Sequence, residues 1–496
     1  MQLTTPPEVR FGGLRKLISV GDGCTEASVR LGQIGTGFAQ ANPGLSARLM
    51  GLWQAMGKPQ DNFYGASLLK INSALPAVSP KLGDAQFDGW MSVMRNAWET
   101  PDESAVFFIN GDFLSDHRHN DQGEVVIYAL GAPLSLDFGS MYYPRPSGGL
   151  LHSIALPESW LGRAWDADNV PLDAPPGPGG RSAWWHTQAQ PFMSFRESAA
   201  AGAQFTPASG AQADIHWQRT VRFLHPDPAQ PVIVIDDAFT GKELAGKPVV
   251  STLNLMAQGV VTTPSGPLTP VERMHTADQI TTPEKLPSTG PVFPLAAGLN
   301  KFGFTGQWLI DWDLYTDAAT PMQAVIGNWG NKWHPSTEQN QFSKEQKRPY
   351  EERQHILRLR GQDKIRTIIL PYRKGARPEN LTVTKQDADT VIHSGTMTIT
   401  LTEHGFFCEN GAQKNLTSFD SAPVERMGLR VAGGPSELSL NDQGGTLTIG
   451  GTAGLRTVHL PKEWNLAENR MVKMAGADWT VNYDGKVPLT VKVNRK

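Results

Sequence analysis

The fold is decided by the stretch EVVIYALGAPLSLD, residues 124–137. Residues 125–130 are mostly β-branched or apolar, GAP at 131–133 is typical of a turn, and LSLD at 134–137 is typical of a second strand. The stretch therefore predicts a β-hairpin whose second strand ends in the carboxylate of Asp137. A hairpin of this length folds Asp137 back towards the residues that precede the first strand.

Two histidines stand just before this hairpin, in the segment DHRHND at 116–121. If the backbone there is extended, the two-residue period of a strand points His117 and His119 to the same side. A third, His152, follows the hairpin beyond a loop rich in Gly and Pro. Because His119, Asp137 and His152 offer two imidazole nitrogens and one carboxylate oxygen, they match a zinc site with an open fourth position. A histidine is more often a hydrogen-bonded core or surface residue than a ligand, so a structural role is the alternative.

The chain on both sides of the hairpin also favours strands. Short β-branched runs separated by Gly, Pro and Asp turns, without helical periods between them, predict an antiparallel β-sandwich over residues 81–375. KGARP at 374–378 is typical of a linker, and short strand patterns predict a smaller β domain at 376–496. The expected fold class is mainly β: a large antiparallel β-sandwich preceded by a short helical segment and followed by a smaller β domain.

The N-terminal segment, residues 1–80, is predicted to be helical. Asn42 is a suitable N-cap with Pro43 at the first helical position, and apolar residues then recur at helical spacing as far as Met56. A second helix is predicted from Phe63 to Leu75. Such helices cannot bury their apolar stripe alone, so we expect them to pack on the β region or on a partner.

Composition restricts the classes of function. The 496 residues carry 45 basic and 48 acidic side chains, a formal net charge of −3, so no overall field favours nucleic acid or membrane as a partner. Two cysteines exclude a disulfide scaffold or a Cys-rich zinc module. No apolar run approaches the ~18 residues of a membrane span. The first residues lack the pattern of a signal peptide, which taken by itself predicts the cytoplasm.

Six segments resemble consecutive parts of one family, the heparinase II/III-like polysaccharide lyases. In chain order they are SDHRHNDQG (115–123), YALGAPL (128–134), DFG (137–139), HS (152–153), WQRTV (217–221) and VIDD (234–237). The first four resemble the family's core block in spacing and residue type, and the last two resemble the sandwich strands after it. Ser153 departs from the family pattern, which usually has Asn after the last His.

The resemblance implies a lyase that cleaves uronic-acid-containing polysaccharides by β-elimination. It implies a divalent metal, commonly zinc, inside the sandwich, and an acidic polysaccharide as the partner. By residue matching, His119, Asp137 and His152 correspond to the metal ligands, and His117 corresponds to a histidine that faces the substrate. The metal is then expected to fix the loop after Asp137 rather than to activate water.

The loop after Asp137 holds the other candidate site residues. The family's catalytic tyrosine lies in this loop, where the present chain has both Tyr142 and Tyr143, with Tyr142 slightly favoured. A phenol can take the C5 proton of a uronate and return one to the departing O4 oxygen. Arg145 in the same loop is a candidate to grip the substrate carboxylate, or else a solvated loop residue.

The family places an α/α toroid before its sandwich, and residues 1–80 are too few for one. Residues 8–21 and the helix ending near Gly57 resemble the last turns of the toroid and its junction to the sandwich. We therefore expect a truncated or partial chain, whose parent is periplasmic or secreted by resemblance. A homodimer is compatible with the resemblance.

Two other interpretations remain open. A cupin-like metal enzyme also uses a His-x-His pair, and Glu124 would then have to serve as a further ligand. A non-catalytic carbohydrate-binding β-sandwich would use surface aromatic rings as stacking platforms. The candidate rings for that role are Trp184, Trp185, Trp329 and Trp333.

Overall fold

The structure is a computed structural model, and it describes most of the chain. The described residues are 1–7, 9–18, 20, 27–60, 70–112, 121–137, 152–161, 164–166, 185–207, 214–270, 274–276, 288–333 and 350–496. Of these, the side chains at 274–276, 288–289, 329–333 and 350–352 lie outside the description.

The chain forms two compact units. The first contains residues 1–189, 203–220 and 234–374, and the second contains residues 190–202, 221–233 and 375–496. The N-terminal segment thus belongs to the same unit as most of the sandwich strands. The second unit is discontinuous in sequence, since two short segments join its long C-terminal part.

Two α-helices are present among the described residues, α1 (Val29–Gly37) and α2 (Pro43–Ala55). The predicted start of α2 is confirmed: the Asn42 side chain accepts a hydrogen bond of 3.0 Å from the Leu45 amide, with Pro43 in the first turn. A Cβ at Gly32 of α1 would lie 2.9 Å from the Trp53 indole. Glycine there allows α1 to approach α2 closely. None of the described helices is long and apolar enough to cross a membrane.

The other predicted helical segments are not α-helical where the structure describes them. Residues 70–75 are not helical but contain a turn, in which the Leu75 amide donates to the Asn72 carbonyl at 3.2 Å. Pro76 follows at once and disfavours a helical Leu75, so the predicted second helix is wrong at its end; residues 61–69 lie outside the described residues. Among the described residues of the segment 8–21, Val9–Phe11 forms a short 3-10 turn and Leu17 makes a β-bridge to Thr4.

Strands make up most of the molecule, and the predicted mainly β fold is confirmed. The strands of the chain before residue 375 are β1 (Ala85–Phe87), β2 (Met91–Asn96), β3 (Ser104–Ile109), β4 (Val125–Ala129), β5 (Ala132–Ser135), β6 (Ala155–Pro157), β7 (Trp185–Ala189), β8 (Met193–Ser194), β9 (Ser198–Pro207), β10 (His216–Leu224), β11 (Val232–Thr240), β12 (Val249–Leu255), β13 (Val261–Thr263), β14 (Gly266–Leu268), β15 (Met274–Thr276), β16 (Ser288–Thr289), β17 (Phe293–Leu295), β18 (Gly298–Thr305), β19 (Ile310–Ala318), β20 (Met322–Trp333), β21 (Tyr350–Gly361) and β22 (Lys364–Arg373). Short 3-10 turns occur at Glu158–Trp160 and Lys242–Leu244.

These strands form two large sheets. The first has the order β1-β2-β3-β4-β5-β12-β21-β20-β15, with β6 beside β12 and with β16 and β17 beside β20. The second has the order β14-β13-β18-β19-β22-β11-β10-β9-β7, with β8 beside β9. Neighbouring strands run antiparallel, as in β2–β3 and β12–β21, and β15 is an exception that runs parallel to β20. The unit boundaries fall at β9, β10 and β11.

The first sheet holds the N-terminal segment through a buried ion-pair network. Glu103, at the start of β3, receives Nη2 of Arg15 at 2.6 Å and Nη1 of Arg95 at 2.8 Å. The Glu103 and Arg95 side chains are fully buried, and that of Arg15 nearly so. Because each carboxylate oxygen has a charged donor, the group is satisfied although it is shielded from water.

The second unit contains a smaller sandwich. Its further strands are β23 (Thr382–Gln386), β24 (Asp389–Ser394), β25 (Met397–Leu401), β26 (Gly405–Asn410), β27 (Gln413–Ser418), β28 (Val424–Arg426), β29 (Leu429–Ala432), β30 (Ser436–Asn441), β31 (Gly444–Ile449), β32 (Gly454–His459), β33 (Trp464–Leu466), β34 (Val472–Ala475), β35 (Asp478–Tyr483) and β36 (Leu489–Arg495). They form a nine-stranded sheet, β23-β24-β25-β26-β27-β30-β31-β36-β33, and a five-stranded sheet, β28-β29-β32-β35-β34. Leu438 and Leu447 of the nine-stranded sheet share one apolar core with Val458 and Val481 of the five-stranded sheet.

Candidate metal centre

The predicted hairpin forms as β4 and β5, but its turn lies at 130–131 and not at 131–133, and β5 ends at Ser135, two residues before Asp137. Its turn residues, Leu130 and Gly131, have φ of 52° and 77°, which is the pair of positive values that a tight two-residue hairpin turn requires. Ile127 is paired with Ser135, and a register shift follows between Ile127 and Tyr128. If the pairing at Ile127 continues by two residues, Asp137 lies beside the start of β4.

Three ionisable side chains meet at this place, and we call Glu124, Asp137 and His152 the metal-site cluster. Nδ1 of His152 lies 2.9 Å from Oε2 of Glu124 and 3.3 Å from Oδ1 of Asp137. Each residue offers a donor atom that lies within 4.8 Å of the other two. All three side chains are fully buried. Glu124 precedes β4, Asp137 follows β5, and His152 precedes β6, so the hairpin and the next strand assemble the cluster.

Burial makes the charges of the metal-site cluster costly. It raises the pKa of Glu124 to about 8, together with the nearby charge of Asp137, although His152 acts in the opposite direction. Burial lowers the pKa of His152, but the two carboxylates outweigh it and hold that pKa well above its usual value. Without a bound cation, Glu124 therefore keeps its proton at neutral pH and Asp137 faces an imidazolium, whereas a bound cation would favour the ionised form of both carboxyls.

The chemistry of these side chains fits a divalent metal ion. Carboxylate oxygens and an imidazole nitrogen are ligands for zinc and for other first-row divalent metals. A divalent ion would neutralise both carboxylates, and the surrounding fold already brings the donors together. The metal-site cluster could therefore hold a metal ion.

The structure brings together two of the three predicted ligands, Asp137 and His152. The third, His119, lies outside the described residues, as does His117. The loop candidates Tyr142, Tyr143 and Arg145 lie outside them too. Their roles stay predictions.

Glu124 is the residue that the zinc prediction omitted. The sequence predicts Glu124 only as the extra ligand of a cupin-like site, because it stands shortly after His119 in the chain. The available signal was a carboxylate at the start of an apolar strand, opposite Asp137 across the same hairpin. Oε1 of Glu124 also accepts a hydrogen bond of 3.1 Å from the Ser153 amide, which ties the two sides of the site.

Ser153, which departs from the family pattern, joins the site to the first sheet. Its hydroxyl lies 3.1 Å from the hydroxyl of Ser135 in β5. The same oxygen accepts a hydrogen bond of 3.1 Å from the Asn254 amide in β12. The residue after His152 therefore fixes the backbone there through its small side chain.

One proposed sugar-stacking platform is wrong. Trp185 is only 1% exposed, and its ring centroid lies 4.7 Å from that of Trp160 and 5.5 Å from that of Trp217. It is a core residue because these rings cover it. Trp184 lies outside the described residues, as do the side chains of Trp329 and Trp333.

Comparison with known proteins found similarity to solved structures alone. No protein-family model matches the chain, and no curated protein matches it. The heparan sulfate lyase HepC from Pedobacter heparinus is 9% identical, with 78% of this chain and 49% of that chain covered and a TM-score of 0.47. A mutant of that enzyme is 9% identical, with 84% and 51% covered and a TM-score of 0.48. A heparinase III is 10% identical, with 88% and 51% covered and a TM-score of 0.42.

The chain spans about half the length of these solved structures. At 9–10% identity and with TM-scores below 0.5, the comparison assigns neither an activity nor a substrate to this chain.

Proposed function

We propose that this chain carries the elimination machinery of a polysaccharide lyase that acts on uronic-acid-containing polymers. The observation that carries the proposal is the buried metal-site cluster at the hairpin whose sequence resembles the lyase core block. The segment 138–151 begins directly after Asp137 and ends directly before His152, and donor atoms of these two residues are 3.3 Å apart. Both ends of the segment that carries Tyr142 and Tyr143 are thus held at one point.

A divalent metal, with zinc as the first candidate, is proposed for the metal-site cluster. Asp137 and His152 would hold it, with His119 as the predicted third ligand and Glu124 as a further carboxylate. When bound, the ion supplies positive charge that offsets the two buried carboxylates and cross-links the ends of the segment 138–151. This role agrees with a site that is closed to water and therefore poorly placed to activate a water molecule.

We assign the elimination itself to candidate residues of the segments next to Asp121 and Asp137 in the sequence. The proton on C5 of a uronate lies α to the carboxylate and leaves only if the developing negative charge is stabilised, for which Arg145 is the proposed partner. His117 or a loop tyrosine takes that proton. The C4–O4 bond then breaks, a C4–C5 double bond forms, and a phenol of Tyr142 or Tyr143 protonates the departing oxygen.

The direct test is the absorbance of the product. We expect the full chain, mixed in turn with alginate, heparan sulfate and other uronate polymers, to generate near-ultraviolet absorbance from the new double bond with at least one of them. Replacing the catalytic tyrosine with Phe should lower the rate roughly 100-fold or more. Tyr142→Phe and Tyr143→Phe are matched controls for each other, and a neutral glucan is the substrate control. A folded, zinc-loaded chain that produces no absorbance with any uronate polymer would rule out the lyase.

Location follows from the proposed substrate. Acidic polysaccharides of this kind lie outside the cytoplasm, so we propose that the protein acts in the periplasm or after secretion. Fractionation of cells that produce the protein from its natural gene would test this, and a purely cytoplasmic pool would contradict it.

Glu124 favours a second candidate, the cupin-like metal enzyme. That interpretation needs a carboxylate shortly after the His-x-His pair, and Glu124 does lie 2.9 Å from His152. Iron would then be the bound metal and oxygen the co-substrate. Metal analysis of the purified protein and an oxygen electrode distinguish this candidate from the lyase.

A further inference from the structure

Arg219 forms a fully buried link behind the metal-site cluster. It belongs to β10 and faces Asp237 of β11. Nε donates to Oδ1 of Asp237 at 2.7 Å and Nη2 donates to Oδ2 at 2.8 Å, so the pair is bidentate. The guanidinium is fixed in its plane by two parallel hydrogen bonds.

The other edge of the same guanidinium reaches two backbone segments. Nη1 of Arg219 donates to the Gly123 carbonyl at 2.7 Å and to the Ser153 carbonyl at 2.6 Å. Gly123 directly precedes Glu124, and Ser153 directly follows His152. One nitrogen atom therefore joins the two chain segments that supply a carboxylate and the imidazole of the metal-site cluster.

Two further hydrogen bonds fix the carboxylate of Asp237. It accepts a hydrogen bond of 2.8 Å from the Trp217 indole N–H and one of 3.2 Å from the Ser251 hydroxyl. Trp217 also packs on Gly123, where a Cβ would lie 2.3 Å from the indole Cη2, and Gly123 has φ of 88°. The Gly123 backbone is thus fixed from one side by the indole ring and from the other by Arg219.

A lysine at position 219 could not reproduce this arrangement. Its single ammonium group cannot bond both oxygens of Asp237 and two carbonyl oxygens in the fixed planar geometry of a guanidinium. It would keep the positive charge, so the electrostatic contribution would largely remain. The substitution therefore removes the fixed geometry of these hydrogen bonds while it keeps the positive charge.

We infer that Arg219, oriented by Asp237, is a positioning residue that sets the spacing between Glu124 and His152 in the metal centre. The inference rests on the metal site of the proposed function, and it deepens that proposal by naming what holds the ligands in place. Residues that orient metal ligands typically change metal affinity about 10- to 100-fold when replaced.

The test compares Arg219→Lys with a matched control, Arg366→Lys. Arg366 of β22 forms another buried pair with Asp236, which directly precedes Asp237 in β11. Because successive strand residues point to opposite faces, this pair lies on the other face of the sheet from Asp237. The full chain is titrated with Co²⁺ against a competing chelator, and the visible spectrum of bound Co²⁺ reports the ligand geometry. Unfolding of the metal-free proteins is measured in parallel.

We expect Arg219→Lys to bind Co²⁺ about 10- to 100-fold more weakly and with an altered spectrum, whereas Arg366→Lys keeps wild-type affinity and spectrum. A merely structural pair would lower the stability of both variants but leave Co²⁺ binding by the folded fraction unchanged. Wild-type affinity and spectrum in Arg219→Lys would therefore overturn the inference. If the wild type does not bind Co²⁺, the metal site fails and the inference falls with it.

A milder variant serves if Arg219→Lys does not fold. Trp217→Phe removes the indole hydrogen bond to Asp237 and the part of the ring that packs on Gly123, and it leaves the four hydrogen bonds of Arg219 in place. We expect several-fold weaker Co²⁺ binding, and an unchanged affinity would overturn the inference.

Discussion

At the scale of single residues, Glu124 and Glu103 show two ways of burying a carboxylate in the same sheet. Glu103 is flanked by the guanidinium groups of Arg15 and Arg95. Within the part of the chain that the structure describes, Glu124 instead lies near another carboxylate, Asp137, and pairs with His152. A buried carboxylate with too little positive charge around it is an energetic liability unless a cation completes the site.

The two carboxylates are therefore expected to respond in opposite ways to replacement by Gln. Glu124→Gln should weaken zinc binding roughly tenfold or more, because a charged donor is lost, with little loss of stability in the metal-free protein. Glu103→Gln should leave zinc affinity unchanged but cost about 3 kcal/mol in the free energy of unfolding, since it leaves two guanidinium groups without their partner. Zinc titration and urea unfolding in chelator measure both effects. Equal zinc affinity in Glu124→Gln and wild type would remove Glu124 from the metal site.

At the scale of elements, the segment that precedes β9 meets β30 within the second unit through two more buried carboxyls. Glu437 accepts the Arg196 amide at 3.1 Å and the Glu197 amide at 3.3 Å. Burial raises the pKa of Glu437 to about 7, with a further contribution from the charge of Glu197. Burial also raises the pKa of Glu197. The contact between these elements thus favours a protonated carboxyl.

The sign of the resulting pH dependence is fixed by this shift. The folded pKa of Glu437, about 7, exceeds the ordinary value of 4.5, so the folded state binds more protons between these pH values. The free energy of unfolding should then fall as pH rises through this range, by up to about 3 kcal/mol from this group. Urea unfolding from pH 4.5 to 7.5 measures it. Glu437→Gln should flatten that part of the profile, and a variant with the wild-type slope would contradict the assignment.

The elements also show what the sequence could predict and what it could not. Hairpin β4–β5 and the Asn42 cap depend on local turn and capping chemistry, so the residues themselves indicate them. Asp137 and His152 were predicted as neighbours through their match to the family pattern. The helix expected to end at Leu75 failed because the Asn72 turn and Pro76 override its apolar spacing. The burial of Trp185 depends on rings that are distant in sequence, which no local pattern encodes.

At the scale of the whole molecule, the second unit needs three separate parts of the chain. Residues 190–202 and 221–233 join residues 375–496. Arg222, for example, donates to the Glu403 carbonyl at 2.8 Å. The linker pattern at 374–378 predicts a boundary near residue 375 but not this exchange, because pairing over such separations leaves no local signal.

Removal of residues 375–496 should therefore also harm the two short segments that belong to the second unit. Phe195, Phe223 and Ile233 are buried in the full chain and belong to its two short segments. In the shortened chain we expect these apolar residues to be exposed, so that the chain binds apolar dyes and aggregates. Dye fluorescence measures the exposure, and light scattering measures the aggregation. The control is the same truncation with Phe195 and Phe223 replaced by Ser, which should aggregate less. A soluble, monomeric shortened chain without dye binding would show that the two segments are stable without their C-terminal part.

The contact between Glu197 and Glu437 also sets an order of events during synthesis. These residues are 240 positions apart, so the ribosome releases the first long before the second exists. Loop-closure entropy opposes a contact over such a separation until its partner strands have formed. The segment 190–202 then lacks its C-terminal partner residues until residues 375–496 are made, and we expect the chain to be most open to misassembly during this interval.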